Sequence, residues 1–321
     1  MKRSAFLVKS ESETNENYGK RPNERTIQEL IESSVVVVDK HSGPTSHQIT
    51  KWVSKIFGAD KAGHAGTLDP AVTGVLPVAL GDATKAMPVL MGMKKEYVGV
   101  MRLHKAVDET IVRKTFISFV GKIKQIPPVR SAVARRPRER KIYFFDIIEF
   151  GNDGRDVLFH VGCEAGTYIR KLCHDVGQSL GIGAHMTELR RTKAGPFTEE
   201  QSHSLLEIKD AYEFWKENGD ETMLRKILIP TEYAILHVKK VFIKDSAVDA
   251  VCHGSPLFAA GIANIEKGIV RGETIAIYTL KDELVALGIA KKTSEEMFKA
   301  KRGVVVRTDR VFMKKGTYLK E

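Results

Sequence analysis

Four β-branched residues in a row, Val35 to Val38, bounded by Asp39 and by Gly43-Pro44, predict a buried strand early in the chain. A helix follows: Thr45 or Ser46 can cap it, and Ile49, Trp52, Val53 and Ile56 recur at helical spacing on one face. The pattern then breaks into AGHAGTLDPAVTGVLPVALG, whose glycines and Pro70 argue for a loop and whose Val75 to Leu80 argues for a strand leaving it. Tyr97 to Leu103 reads as a strand, and Glu109 to Phe119 as a helix with Ile111, Val112, Phe116 and Phe119 as its apolar positions. Ile142 to Phe150 and Val157 to Cys163 read as strands joined by the turn-forming Gly151-Asn152-Asp153-Gly154. In the second of them Val157, Phe159, Val161 and Cys163 alternate onto one face. Thr167 to Leu180 predicts a helix and Met186 to Thr192 a short strand, followed by helical stretches around Leu205 to Trp215 and Met223 to Ile229.

From about His237 the character changes. Short β-rich segments (Lys240 to Ile243, Glu273 to Tyr278, Leu284 to Ile289, Gly303 to Val306) are separated by glycines, which predicts a small domain over 237–321 after a main domain over 34–236. Residues 1–33 form an N-terminal extension whose stretch 10–25 is polar and irregular, or draped over another surface.

Composition narrows the class. The 321 residues are 42% hydrophobic and 28% charged, the profile of a globular protein, and no apolar run approaches the ~20 residues of a transmembrane helix. The start lacks the apolar stretch and cleavage site of a secretory signal, so the expectation is a cytoplasmic protein. Cys163, Cys173 and Cys252 are too few and scattered for a disulfide framework, and no CxxC pair suggests zinc. The net charge of +11 is concentrated: Arg130 to Lys141 carries +5 and Lys299 to Glu321 carries +6, while the extension is neutral. Two such runs favour a polyanionic partner bound through phosphates over a merely solvated face.

The candidate chemistry lies in Gly63-His64-Ala65-Gly66-Thr67-Leu68-Asp69-Pro70. Glycine on both sides lets backbone approach a ligand, and Pro70 holds Asp69 towards an extended conformation. A carboxylate so presented can be a nucleophile, a general base, a metal ligand or a turn former, and composition alone favours the turn.

The string GHAGTLDP followed by VTGVLPVALGDATK closely resembles the central motif of the TruB/dyskerin branch of the pseudouridine synthases. The resemblance extends to Val37-Val38-Asp39-Lys40 with Gly43-Pro44-Thr45-Ser46, to Lys95-Glu96-Tyr97-Val98 and to Ile126-Pro127-Pro128-Val129-Arg130-Ser131-Ala132-Val133. It continues through Gly166-Thr167-Tyr168-Ile169-Arg170 and Glu188-Leu189-Arg190-Arg191, and the last part, from Lys240 to Met313, resembles a PUA domain. Order and spacing are similar to those of archaeal dyskerin-type members from about residue 25 to 315.

That resemblance implies an α+β fold: a mixed, mainly antiparallel sheet with flanking helices and a central cleft, then a C-terminal β-rich PUA pseudo-barrel, with residues 1–33 packed on it. It implies that Asp69 is the catalytic aspartate, attacking ribose C1′ or uracil C6, or helping to remove a ribose proton, with no metal or organic cofactor. Arg170 is implied as the basic residue that aims Asp69, and Tyr97 as the residue that stacks on the target base. Read alone, they are a surface arginine and a core tyrosine. His64 and Tyr168 are implied to contact the extruded nucleotide, Leu189 to wall its base, and Lys40 to be a structural or phosphate contact. Arg130, Arg135, Arg136 and Arg138 fall in the family's thumb-like loop near the RNA, with Ile126, Ala134 and Pro137 departing from its usual pattern. In the PUA part, His253 and Gly254 are candidates for a guide-RNA surface, and Lys314 and Lys315 for phosphate contacts.

The resemblance implies an isomerase making pseudouridine in rRNA, with tRNA as a further substrate, as the catalytic subunit of an H/ACA guide particle. Its partners would be the guide RNA, small Nop-type and Gar-type proteins and an L7Ae-type kink-turn binder, with no membrane. A stand-alone tRNA T-loop synthase and a non-catalytic RNA-binding scaffold are the alternatives. An intact Asp69, Tyr97 and Arg170 set argues against the scaffold.

Overall fold

The computed structural model describes residues 5–126 and 136–319. In chain order the elements that matter here begin with β1 (Phe6–Val8), α1 (Ile27–Glu32), β2 (Ser34–Lys40), α2 (Ser46–Phe57), β3 (Ala62–His64), β4 (Thr73–Leu80) and α3 (Met87–Met91). They continue with β5 (Lys95–Leu103), α4 (Glu109–Ser118), β6 (Gly121–Gln125), β7 (Arg138–Gly151), β8 (Asp156–Cys163), α5 (Ile169–Ser179) and β9 (Ala184–Ala194). The chain divides into two compact units, one formed by 36–78 and 88–227, the other by 1–35, 79–87 and 228–321.

The first unit is built on a mixed sheet in which β2, β4, β9, β5, β8, β7 and β6 follow one another. The β4–β9 pair is parallel; β9–β5, β5–β8, β8–β7 and β7–β6 are antiparallel. Strand alternation sets the layers. Val157, Phe159, Val161 and Cys163 of β8 all face inward and are buried, as their period of two requires. The helix α4 covers this face through Phe116, which stacks on Phe145 of β7 at 4.0 Å between ring centroids. The aligned aromatic pair adds about 1 kcal/mol beyond its buried area.

The helix α2 begins at Thr45, whose side chain accepts from the Gln48 N–H while Gln48 reaches back to the Thr45 N–H. Its buried row is Ile49, Val53 and Phe57, four residues apart; Trp52, expected on that face, is rotated off the row and is 42% exposed. The parallel β4–β9 contact needs a glycine: Gly74 sits opposite Arg191, and a Cβ there would lie 2.2 Å from the Arg191 carbonyl oxygen.

The second unit carries a seven-stranded sheet in the order β1, Ile262–Glu266, Lys240–Ile243, Thr274–Tyr278, Leu284–Ala290, Val304–Val311, Leu257–Phe258. Its edge strand is N-terminal sequence: Phe6, Leu7 and Val8 pair with Glu266, Ile265 and Asn264. The irregular segment that follows is tied down by the buried Lys281, which donates to the carbonyls of Glu16 and Tyr18 at 3.1 and 2.7 Å. Among the described residues no helix is long and apolar enough to cross a membrane.

Candidate active site

The loop from Gly66 to Val72, between β3 and β4, carries Asp69. A loop buried against a sheet must find donors for its carbonyls, and here side chains supply them. Arg191 of β9 donates to the Gly66 carbonyl at 3.2 Å and to the Val75 carbonyl at 2.7 Å. Ser46, freed from capping because Thr45 does it, accepts the Leu68 N–H at 2.8 Å and donates to the Leu68 carbonyl at 3.0 Å. Lys40 donates to the carbonyls of His41, Pro70 and Val72 at 2.9, 2.9 and 2.8 Å. The Val72 N–H closes a turn on the Asp69 carbonyl at 3.0 Å, and the Gly43 N–H adds a bond to Pro70. Asp69 thus stands on a backbone pinned on both sides, and its carboxylate remains 52% exposed.

Arg170, in the first turn of α5, meets that carboxylate: Nη2 lies 2.5 Å from Asp69 Oδ2. Tyr97 of β5 is buried, and the positive charge of Arg191 lies within electrostatic reach of its phenol. Burial raises the Tyr97 pKa more than Arg191 lowers it, so the phenol keeps its proton. Leu189, opposite Gly99 and two residues before Arg191, shares its face of β9, and its side chain reaches over the glycine. His64 ends β3; its Nδ1 is buried without a hydrogen-bond partner among the described residues. Burial, with the charges of Arg191 and His47, lowers its pKa, which favours a neutral imidazole.

The structure therefore brings Asp69, Arg170, Tyr97, Leu189 and His64 together within one unit. Tyr168 adjoins them as the residue before α5. Lys40 is corrected as a phosphate contact: it is fully buried and its three N–H groups are taken by carbonyls, so only the structural role is open to it. Arg136 is exposed and Arg138 opens β7, while Arg130 and Arg135 lie outside the described residues. His253, Gly254, Lys314 and Lys315 belong to the other unit. There His253 caps a helix end by its contact with the Asp249 carbonyl at 2.8 Å, Gly254 is exposed at φ 84°, Lys314 pairs with Glu32 at 2.6 Å, and Lys315 is exposed.

Sequence reasoning missed Ser46, Lys95 and Arg191 as parts of the site. Arg191 could have been found by alternation, since it lies two residues past Leu189 on the same face. Lys95 shares the buried face of β5 with Tyr97 and donates to the carbonyls of Met91 and Met93, both at 2.6 Å. Chemically the cluster offers one exposed carboxylate beside a cation, a protonated phenol and an apolar wall. Such a set suits nucleophilic or general-base work on a flat, uncharged ring. Among the described residues no group of three or more His, Cys, Asp or Glu could hold a metal ion.

Four family descriptions match the chain: DKCLD (NUC011) domain over 1–50, TruB family pseudouridylate synthase (N terminal domain) over 54–169, tRNA pseudouridylate synthase B C-terminal domain over 170–236, and PUA domain over 239–312. The probable tRNA pseudouridine synthase B of Methanopyrus kandleri is 55% identical over 315 residues, 98% of this chain and 93% of that protein. Its counterpart in Methanocaldococcus jannaschii is 53% identical over 313 residues, with the same shares. A chain from the crystal structure of a Cbf5-Nop10-Gar1 complex superposes with a TM-score of 0.92 at 51% identity, covering 99% of this chain and 96% of that one. A chain of an H/ACA RNP bound to a substrate RNA containing 2'-deoxyuridine gives 0.91 at 48% identity, covering 98% and 96%.

Proposed function

Since this chain belongs to the TruB family of pseudouridine synthases, we propose that it works as the catalytic subunit of a cytoplasmic H/ACA guide particle. The single observation that carries this reading is the full-length likeness to chains solved in H/ACA assemblies, extension and PUA domain included. In this reading the guide RNA selects rRNA uridines, proteins of the Nop10, Gar1 and L7Ae types complete the particle, and the PUA domain (237–321) holds the guide.

The reaction breaks the N1–C1′ bond of a uridine, turns the uracil, and joins C1′ to C5; the C5 hydrogen leaves as a proton and N1 takes one up, so the product is an isomer. The uridine must be flipped out of its stack, at a cost of a few kcal/mol offset by phosphate and stacking contacts. Asp69 is the catalytic carboxylate, at C1′, at C6, or in removing a ribose proton. Arg170 keeps it aimed, which matters more once RNA excludes water from a pair that is half exposed without it. Tyr97 stacks on the base, Leu189 walls the ring, and His64 packs beside the nucleotide. Arg136 and Arg138 neutralise phosphates.

A second reading, modification of tRNA by the chain alone, is favoured by the names of the 53–55% identical relatives. The two separate in one assay: pseudouridine formation on an unmodified tRNA by the lone chain, against formation on a target strand with guide RNA and partner proteins. Activity that needs guide and partners is the expected result. Equal activity of the lone chain on tRNA would make the second reading primary, and none in either would revive the scaffold.

A further inference from the structure

The turn that delivers Arg170 is held by the β6–β7 hairpin. Between β8 and α5 the chain touches that hairpin at alternate residues. Glu164 accepts the Lys141 N–H at 3.0 Å through its carboxylate and donates its own N–H to the Lys141 carbonyl at 2.8 Å. Gly166, at φ 79°, lies under Arg140, whose guanidinium would be 3.2 Å from a Cβ there. Tyr168 is gripped by Gln125, the last residue of β6, which is 2% exposed. The Gln125 carboxamide donates from Nε2 to the Tyr168 carbonyl at 3.1 Å and accepts the Tyr168 N–H on Oε1 at 3.0 Å. Among side chains only a primary amide, Asn or Gln, pairs with a peptide in this way, offering an N–H and a carbonyl side by side.

Tyr168 is the residue before α5, and its side chain makes no capping bond there. Arg170 and Asp69 are both more than half exposed. Packing around the two side chains therefore does little to set their geometry; the position at which α5 begins does most of it. We propose that Gln125 is a positioning residue for the reaction, fixing the Tyr168 peptide and through it the guanidinium of Arg170 against Asp69. This rests on the reading of Asp69 and Arg170 as the working pair. It adds a residue that touches neither and lies 43 and 45 positions before the two it governs, Tyr168 and Arg170.

The test is a double-mutant cycle in the full-length chain, on whichever substrate, tRNA or guided strand, the wild type converts. Gln125→Met keeps length and removes both hydrogen bonds; Gln125→Glu keeps the acceptor for the Tyr168 N–H and loses the donor. At enzyme excess, Gln125→Met is expected to slow single-turnover conversion at least about tenfold, as small misplacements of catalytic groups do, with RNA affinity unchanged. Gln125→Glu is expected to fall between it and the wild type, and it replaces Met in the cycle if the Met variant does not melt like a folded protein. In an Arg170→Ala background, followed over hours, the same change is expected to add less than about twofold, because its effect runs through Arg170. An equal loss in both backgrounds, a loss confined to RNA affinity, or no loss in the wild-type background would overturn the proposal. Failure of the underlying reading looks different: Asp69→Asn would then still turn over, whatever Gln125 does.

Discussion

Replacing Lys40 by methionine tests how the Asp69 loop keeps its shape. The side chains are similar in length, and the lysine is fully buried, so the change removes an ammonium and little volume. Three carbonyls lose a donor, those of His41, Pro70 and Val72. Pro70 keeps the Gly43 N–H at 3.0 Å and His41 is exposed, so the full cost falls on Val72. Leaving a buried carbonyl without its donor costs about 1–3 kcal/mol. Part of this is recovered, because the buried ammonium is itself expensive: burial lowers the Lys40 pKa, and the charge of Asp69 only partly restores it. A net loss of about 1–3 kcal/mol follows, which at about 2–4 °C per kcal/mol lowers the melting temperature by roughly 2–12 °C. The carbonyls of Pro70 and Val72 belong to the turn that directly follows Asp69, so single-turnover pseudouridine formation is expected to fall by about 100-fold as the carboxylate loses its position. Calorimetry and a single-turnover assay on the same preparation read both effects. A variant that melts within about 2 °C of the wild type and reacts at the wild-type rate would refute the reasoning, since the loop would then hold without its staple.

Arg170→Ala separates stability from activity: the pair it breaks is half exposed and worth less than about 1 kcal/mol. The melting temperature is expected to hold while turnover falls about 100-fold or more, and a parallel loss of both would contradict this. Lys95 gives a pH signature. Burial, then Arg191, pulls its pKa down from 10.5 to about 8. Between those values the unfolded chain binds more protons than the folded one, so stability rises with pH across the window, by up to about 1.4 kcal/mol per unit. The neutral amine still has two N–H groups for Met91 and Met93, so these bonds survive. Lys95→Met is expected to flatten that rise in denaturant titrations, and an unchanged slope would count against it. Gly74→Ala drives a methyl against the Arg191 carbonyl at a φ of 97°, and is expected to cost more than about 3 kcal/mol in a chemical melt.

The elements legible in the sequence were those whose side chains alternate or recur against one core. β8 shows this best, because every second residue is buried. β1 has only three residues, too little for a periodic signal, and it exists because the edge strand Ile262–Glu266 was there to pair with. Trp52 looked like part of a helix face because it is large and apolar, yet the buried row runs in steps of four past it. Asp69, Tyr97 and Arg170 came from a resemblance in motif order, since nothing in their own neighbourhoods separates a catalytic aspartate from a turn or a reactive arginine from a surface one. The supporting residues were harder. Ser46, Lys40, Arg191 and Gln125 act on backbone carbonyls and N–H groups distant in sequence, and a side chain that bonds a peptide leaves no trace in the identity of the residue it bonds.

The central claim, that the carboxylate of Asp69 performs the isomerisation, is met most directly by Asp69→Asn, which keeps shape and removes the charge. Measured together on one RNA, binding is expected to stay within about threefold of the wild type, because affinity comes mainly from phosphate contacts, while no pseudouridine forms at enzyme excess. Retained turnover in that variant would contradict the claim and leave the family resemblance without its chemistry in this chain.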